Sequence, residues 1–168
     1  MDDVAWLDRP ELAAWVRVAA LLELLPGLLD RQLRRDADLI MFEYFVLAML
    51  SEAPDRTLRM TDLAAQTNAT LPRLSHVVHR LEDRGLVERF ASPENRRATN
   101  ARLTDDGWGL IQASAPGHVD TVRRNVIDAL STEQVGQLTT IADAILRRVD
   151  PTASMAAMYR RYDEKEVC

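Results

Sequence analysis

Cysteine is almost missing from this chain: Cys168 is its single thiol. No disulfide framework can form within one chain, so a reducing, cytoplasmic compartment is expected. Glu164 and Glu166 flank that thiol with negative charge, which gives it no means of lowering its pKa, and it is read as inert rather than redox-sensing. Lysine is nearly absent too, with Lys165 the only one; a GC-rich coding bias accounts for the arginine excess without any function. No run reaches the ~20 apolar residues of a membrane span, so no membrane partner is expected. The N-terminus, MDDVAWLDRPE, is acidic and lacks the positive region of a signal peptide. Histidine is scarce as well. His76 and His79 are three apart, a spacing that can hold a metal, but only His118 remains and no cysteine is near, so neither metal nor cofactor is expected. Ser75 and His79, four apart, could touch, yet no oxyanion loop or orienting acid accompanies them, and no enzyme is read here.

What is present is apolar residue in quantity. The chain is 47% hydrophobic, enough for a proper core, and its 168 residues suit one domain or two small lobes sharing that core. Charges of both signs argue against wholesale disorder. The formal net charge of −5 is an awkward start for a nucleic-acid binder, but net charge is a whole-chain sum and a ligand meets one face.

Helical spacing of Leu12, Trp15, Val16, Ala19, Leu22, Leu25, Leu29 and Leu33 predicts a helix from about Pro10 to 35, with Pro26-Gly27 expected to kink or divide it. A second helix over about 39–52 is apolar nearly all round and should be buried. A short extended piece, Thr57-Leu58-Arg59, precedes two short helices, 60–67 and 71–84, the second capped by Thr70 and stopped by Gly85. The period then changes. Leu86 to Phe90 alternates apolar and charged residues, Ser92-Pro93-Glu94-Asn95 is turn chemistry, and Ala98 to Leu103 can return as an antiparallel partner. Thr104 can cap a helix to Ala129, bent or split at Pro116-Gly117. Ser131 and Gln134, at capping-box spacing, open a last long helix to about Arg148. Residues 152–168 are read as a short helix around Ala153–Tyr162 or a frayed tail.

Three helices, a strand, a charged loop and a strand make a winged helix-turn-helix, mainly α with a small β-hairpin. The second short helix would lie in a DNA major groove. Leu71, Leu74, Val77, Val78 and Leu81 should face inward, leaving Thr70, Pro72, Arg73, Ser75, His76, His79 and Arg80 outward. Arg73 can fork onto a guanine, and Ser75 and Thr70 can reach bases or phosphates. Arg96 and Arg97 at the hairpin tip can reach the adjacent minor groove. From Thr70 to Arg102 seven arginines face four acids, a formal +3 that leaves −8 elsewhere. Arg80, Arg84 and Arg89 could instead be solvated or paired with Glu82, Asp83 and Glu88. The terminal helices carry more apolar surface than one protomer can hide, which predicts a homodimer and hence a palindromic operator.

Residues 58–107, LRMTDLAAQTNATLPRLSHVVHRLEDRGLVERFASPENRRATNARLTDDG, resemble the core signature of the multiple-antibiotic-resistance regulator (MarR) family. The flanking helices extend the resemblance over about 10–149. It implies a DNA-binding lobe at about 55–104 and dimerisation helices at about 10–35 and 120–149, with 150–168 a tail. It also implies a transcriptional regulator, commonly a repressor, whose wing arginine reads the minor groove. Many members release DNA when a small aromatic or anionic effector binds between the dimer and DNA lobes. Trp15, Phe42, Phe45 and Trp108 could line such a pocket here; aromatics at helical spacing are otherwise plain core. Family wings commonly carry Asp before the arginine pair, where this chain has Asn95, so the steering of Arg97 is expected to be weaker. A constitutive or architectural DNA-binding protein with no effector remains the alternative.

Overall fold

The computed structural model describes residues 5–93, 95 and 97–163. Helix α1 (Arg9–Ala37) opens on a reciprocal cap: the Asp8 carboxylate accepts the Glu11 amide, and the Glu11 carboxylate accepts the Asp8 amide, both at 2.8 Å. Neither proline divides its helix. Helix α1 runs unbroken through Pro26, and α5 (Asp105–Asn125) runs unbroken through Pro116. In each case proline and the residue four before it, whose carbonyl loses its partner, are exposed in the protomer. An 18-residue window within α1 averages a hydropathy of 1.7, long and apolar enough by that measure to cross a membrane, although Arg17 and Glu23 interrupt the apolar run.

Helix α2 (Met41–Ser51) is the centre of the fold, and a 3-10 turn at Pro54–Arg56 leads from it to β1 (Thr57–Arg59). Helices α3 (Met60–Gln66) and α4 (Leu71–Asp83) follow, then β2 (Val87–Ala91) and β3 (Thr99–Leu103). The expected hairpin gains a third strand, because β1 pairs antiparallel with β3 on the side away from β2, with Leu58 opposite Ala101. Leu33, Val46, Leu47, Leu50, Leu63, Leu74 and Leu81 are fully buried together, so one core joins the end of α1 to the helices of the winged lobe.

Past α5, a 3-10 turn at Ile127–Ala129 leads to α6 (Thr132–Val149), capped reciprocally by Ser131 and Gln134. The tail forms only one turn of helix, α7 (Ala156–Tyr159). Two glycines set helix placement. A Cβ on Gly107 would stand 2.2 Å from the Leu86 carbonyl oxygen. One on Gly117 would press on Asp36 and Gln32, where α5 lies close against α1. By contrast α6 has no buried residue, and its Leu138, Ile141 and Ile145 stand exposed beside Leu21 and Leu22 of α1. Leu21, Leu25, Pro26, Met41, Ile141 and Ile145 help line an entirely apolar groove of about 380 Å³ between them.

Candidate DNA-reading surface

The α3–turn–α4 unit is locked by short-range bonds. Thr67 is buried and its hydroxyl donates to the Leu63 carbonyl at 2.7 Å, closing α3. Thr70 caps α4, its hydroxyl accepting the Arg73 amide at 3.4 Å. At the other end Gly85, at φ 71°, takes the left-handed turn that stops the helix, and the Leu86 amide returns to the Leu81 carbonyl.

Leu74, Val77, Val78 and Leu81 are buried as expected from their spacing. Leu71 is not. It stands 45% exposed, because at the first helical position it overhangs the edge of the core. Thr70, Pro72, Arg73, His76, His79 and Arg80 are exposed and Ser75 is half-buried. Pro72, Ser75, His76 and His79 line one open cleft of about 330 Å³, and Arg89 of strand β2 forms its other wall. His79 faces Asp83 at 3.7 Å and Glu82 at 4.0 Å.

Three connections hold this face, and the sequence reading placed only one of them. The Arg89 guanidinium forks onto the Glu82 carboxylate at 2.6 and 2.8 Å, and its backbone amide donates to the other carboxylate oxygen at 2.9 Å. This clamps β2 to α4 and holds the Glu82 carboxyl below its usual range, chiefly through the Arg89 side-chain bonds. Pairing of Arg89 with Glu82 was one of the alternatives that sequence left open. The other two were missed. Arg80 pairs not with a neighbour on its own helix but with Glu43 of α2, at 2.7 Å. The Arg73 guanidinium lies over the Phe42 ring, 4.4 Å from its centroid. Arg84 likewise reaches away, to the Asp38 carbonyl at 2.9 Å.

The wing tip turns through Asn95. Its side-chain oxygen accepts the Arg97 amide at 3.1 Å, and its carbonyl accepts the Ala98 amide at 2.8 Å. Asn95 therefore shapes the backbone that carries Arg97, which is exposed. Arg96 lies outside the described residues, as do Cys168 and its neighbours.

The four aromatics considered for an effector pocket stand in separate settings. Trp15 is 55% exposed on α1, and Phe45 is half-buried against the core. Phe42 lies under Arg73, and Trp108 lies under Arg56, whose guanidinium is 4.4 Å from the ring and pairs with Asp105 at 3.0 Å.

Residues 40–99 match the model of the MarR family. Among solved structures, the chain is similar to Sco3205 of Streptomyces coelicolor, a MarR family transcriptional regulator determined in complex with DNA. The two are 41% identical with a TM-score of 0.84, over 89% of this chain and 93% of that one. It is similar also to AbsC, a MarR family transcriptional regulator of the same organism, at 34% identity and a TM-score of 0.84, over 88% and 99% of the two chains. The HTH-type transcriptional regulator MhqR of Bacillus subtilis (strain 168) is 32% identical over 97 residues, 58% of this chain and 65% of MhqR. The chain thus spans slightly less than two thirds of that curated relative. With most of the length of Sco3205 and AbsC covered at more than 30% identity, this chain belongs to the MarR family of transcriptional regulators.

Proposed function

We propose that the protein is a dimeric transcriptional regulator that inserts α4 into the major groove of a palindromic operator and lays the wing along the adjacent minor groove. The carrying observation is the cleft where Pro72, Ser75, His76 and His79 meet Arg89, on a helix whose opposite face is buried. A helix so anchored presents donors, acceptors and small contacts at fixed spacing, which base reading requires. Thr70 and Arg73 extend that face at the N-terminal end, and Arg80 lies beyond it. Arg97 and Arg96 supply the positive charge of the wing, in a segment of formal +3. The apolar groove between α1 and α6 is the surface a second copy covers. Loss of DNA on binding a small aromatic or anionic effector completes the reading, with a repressor as the form that family membership favours; Trp15, Phe42, Phe45 and Trp108 are the candidates for contact.

Selection of bound sequences from random DNA tests the reading. The expected product is a palindrome with half-sites about one helical turn apart. Recovery of no enriched sequence sinks it, as does a stable folded monomer in sedimentation at micromolar concentration. For the effector, a thermal-shift screen of small aromatic acids should yield a compound that raises stability and weakens DNA binding together, since both follow from differential binding. A compound that stabilises without changing DNA affinity would count for the constitutive alternative.

A further inference from the structure

Helix α6 has no fully buried residue, yet its far end is fastened. Beyond Val149 the chain reverses at Asp150, whose carboxylate gathers four bonds. One oxygen accepts the Ser154 amide and hydroxyl, each at 2.9 Å; the other accepts the Met155 amide at 3.0 Å and the Tyr159 hydroxyl at 3.3 Å. These bonds shape the turn into α7, and α7 packs against α3, the helix that braces the reading helix. Arg161 and Tyr162 then converge on Glu52, the residue that ends α2. The Arg161 guanidinium pairs with one carboxylate oxygen of Glu52, and the Tyr162 hydroxyl donates to the other at 3.4 Å. The Arg161 side chain is only 24% exposed, so this pair is better shielded than most at the surface.

The helical lobe and the winged lobe are otherwise joined through α1, α2 and α5, which pack on one another. A lobe attached through one set of helices can rock about that attachment. The tail adds a second attachment, on α3 and the end of α2. We infer that residues 150–163 are an intramolecular strap that fastens the end of α6 to the winged lobe, and that the strap narrows the range of half-site spacings a dimer accepts. The spacing half of this inference rests on the DNA-binding reading above. Its physical basis is that rocking of either lobe changes the separation of the two reading helices, and half-site spacing mirrors that separation.

The test uses the full chain with Glu52→Arg, Arg161→Glu and the double swap. Amide hydrogen exchange of 154–162 and of α3 is measured without DNA. Affinity is measured for the selected operator and for versions with the spacer lengthened or shortened by one base pair. Each single swap should speed exchange in α7 by about fivefold, the scale of a favourable surface ion pair or somewhat above. It should also lower discrimination against the altered spacers by a similar factor, while affinity for the selected operator changes by less than about twofold. The double swap should recover both. Wild-type exchange rates in both single variants overturn the strap. Faster exchange with unchanged spacer discrimination overturns its role in spacing. If the wild-type chain binds no DNA, the DNA-binding reading and the spacing role fail together, and the exchange measurement still decides whether the strap exists.

Discussion

Arg80, in the last turn of α4, places its guanidinium 2.7 Å from Glu43, a residue only 6% exposed and 37 residues earlier in the chain. The other oxygen of Glu43 accepts the Ile40 amide at 3.0 Å. One side chain thereby starts α2 and anchors α4. Removing Arg80 would leave that carboxylate buried with half its partners. Arg80→Ala should cost about 1–3 kcal/mol of folding stability, the range for leaving a buried acceptor unsatisfied. Because Arg80 itself is 44% exposed, the lower end is expected. The Glu43→Ala, Arg80→Ala double variant should lose less than the sum of the two singles. Urea denaturation of the four proteins measures this; strict additivity would mean that the pair contributes nothing.

Arg73 and Phe42 lead to a second expectation. A guanidinium parked over a ring gains about 0.5–1 kcal/mol at an exposed site. Forking onto a guanine requires it to leave. Arg73→Ala should cost about 1–3 kcal/mol of specific affinity and relax preference at one base pair per half-site. Phe42→Leu keeps the apolar bulk and removes the competing ring, so specific binding should tighten by up to about fivefold. Binding assays on the selected operator and single-base variants check both. A uniform loss across all sequences for Arg73→Ala would make that residue a phosphate contact instead.

The clamp between Glu82 and Arg89 predicts a pH dependence. Glu82 is held below its ordinary carboxylate range, first by the Arg89 side-chain bonds. A carboxylate depressed on folding contributes stability that is fully present above its unfolded pKa and is lost as pH falls through its folded pKa. The wing should therefore stay clamped to α4 at neutral pH and loosen only on acidification below the usual range for glutamate. Arg89→Ala should move the Glu82 titration up toward that range. Carboxyl-detected NMR titration of the two proteins gives the comparison, and an unmoved Glu82 would show the clamp to be of no electrostatic consequence.

Gly107 and Gly109 sit two residues apart on α5 and should answer alanine oppositely. At Gly107 a Cβ meets the Leu86 carbonyl oxygen at 2.2 Å and a Leu103 methyl at 2.7 Å, so α5 must shift and strain the Thr104 cap. Gly107→Ala should destabilise by at least about 1–3 kcal/mol, as overpacking does. At Gly109 nothing lies within 4 Å. Gly109→Ala should stabilise by up to about 1 kcal/mol through helix propensity alone. Thermal unfolding of both variants tests the contrast; matching shifts would remove the close approach at Leu86 as the cause.

The winged fold was legible because its signals are local. The inward spacing of Leu74, Val77, Val78 and Leu81, the Thr70 cap and the Gly85 stop each lie within a few residues and appear where their pattern pointed, and the segment Leu86 to Phe90 does become a strand, from Val87, though its burial does not alternate. Leu71 was misjudged because periodicity reports a helix face but not where the neighbouring core ends. Pro26 and Pro116 do not divide their helices, since proline removes one hydrogen bond and the cost depends on whether solvent reaches the freed carbonyl. The third strand needed a pairing across 45 residues, Thr57 opposite Arg102, and three residues carry no period that could announce it. Glu43 with Arg80, Phe42 with Arg73, and Glu52 with Arg161 were invisible for the same reason. Such pairs are chosen by tertiary placement, and a glutamate in an otherwise apolar helix was the one hint that Glu43 had a partner to find.

Helix α6 has no interior within its own protomer, and that makes abundance a structural variable. A segment whose burial depends on a second copy is stabilised by mass action, so its order rises with the concentration of the chain itself. Where most copies are unpaired, the population able to engage a two-fold site falls with the square of the chain concentration. The steepness of the response to synthesis and turnover is then already present in the exposed row of Leu138, Ile141 and Ile145.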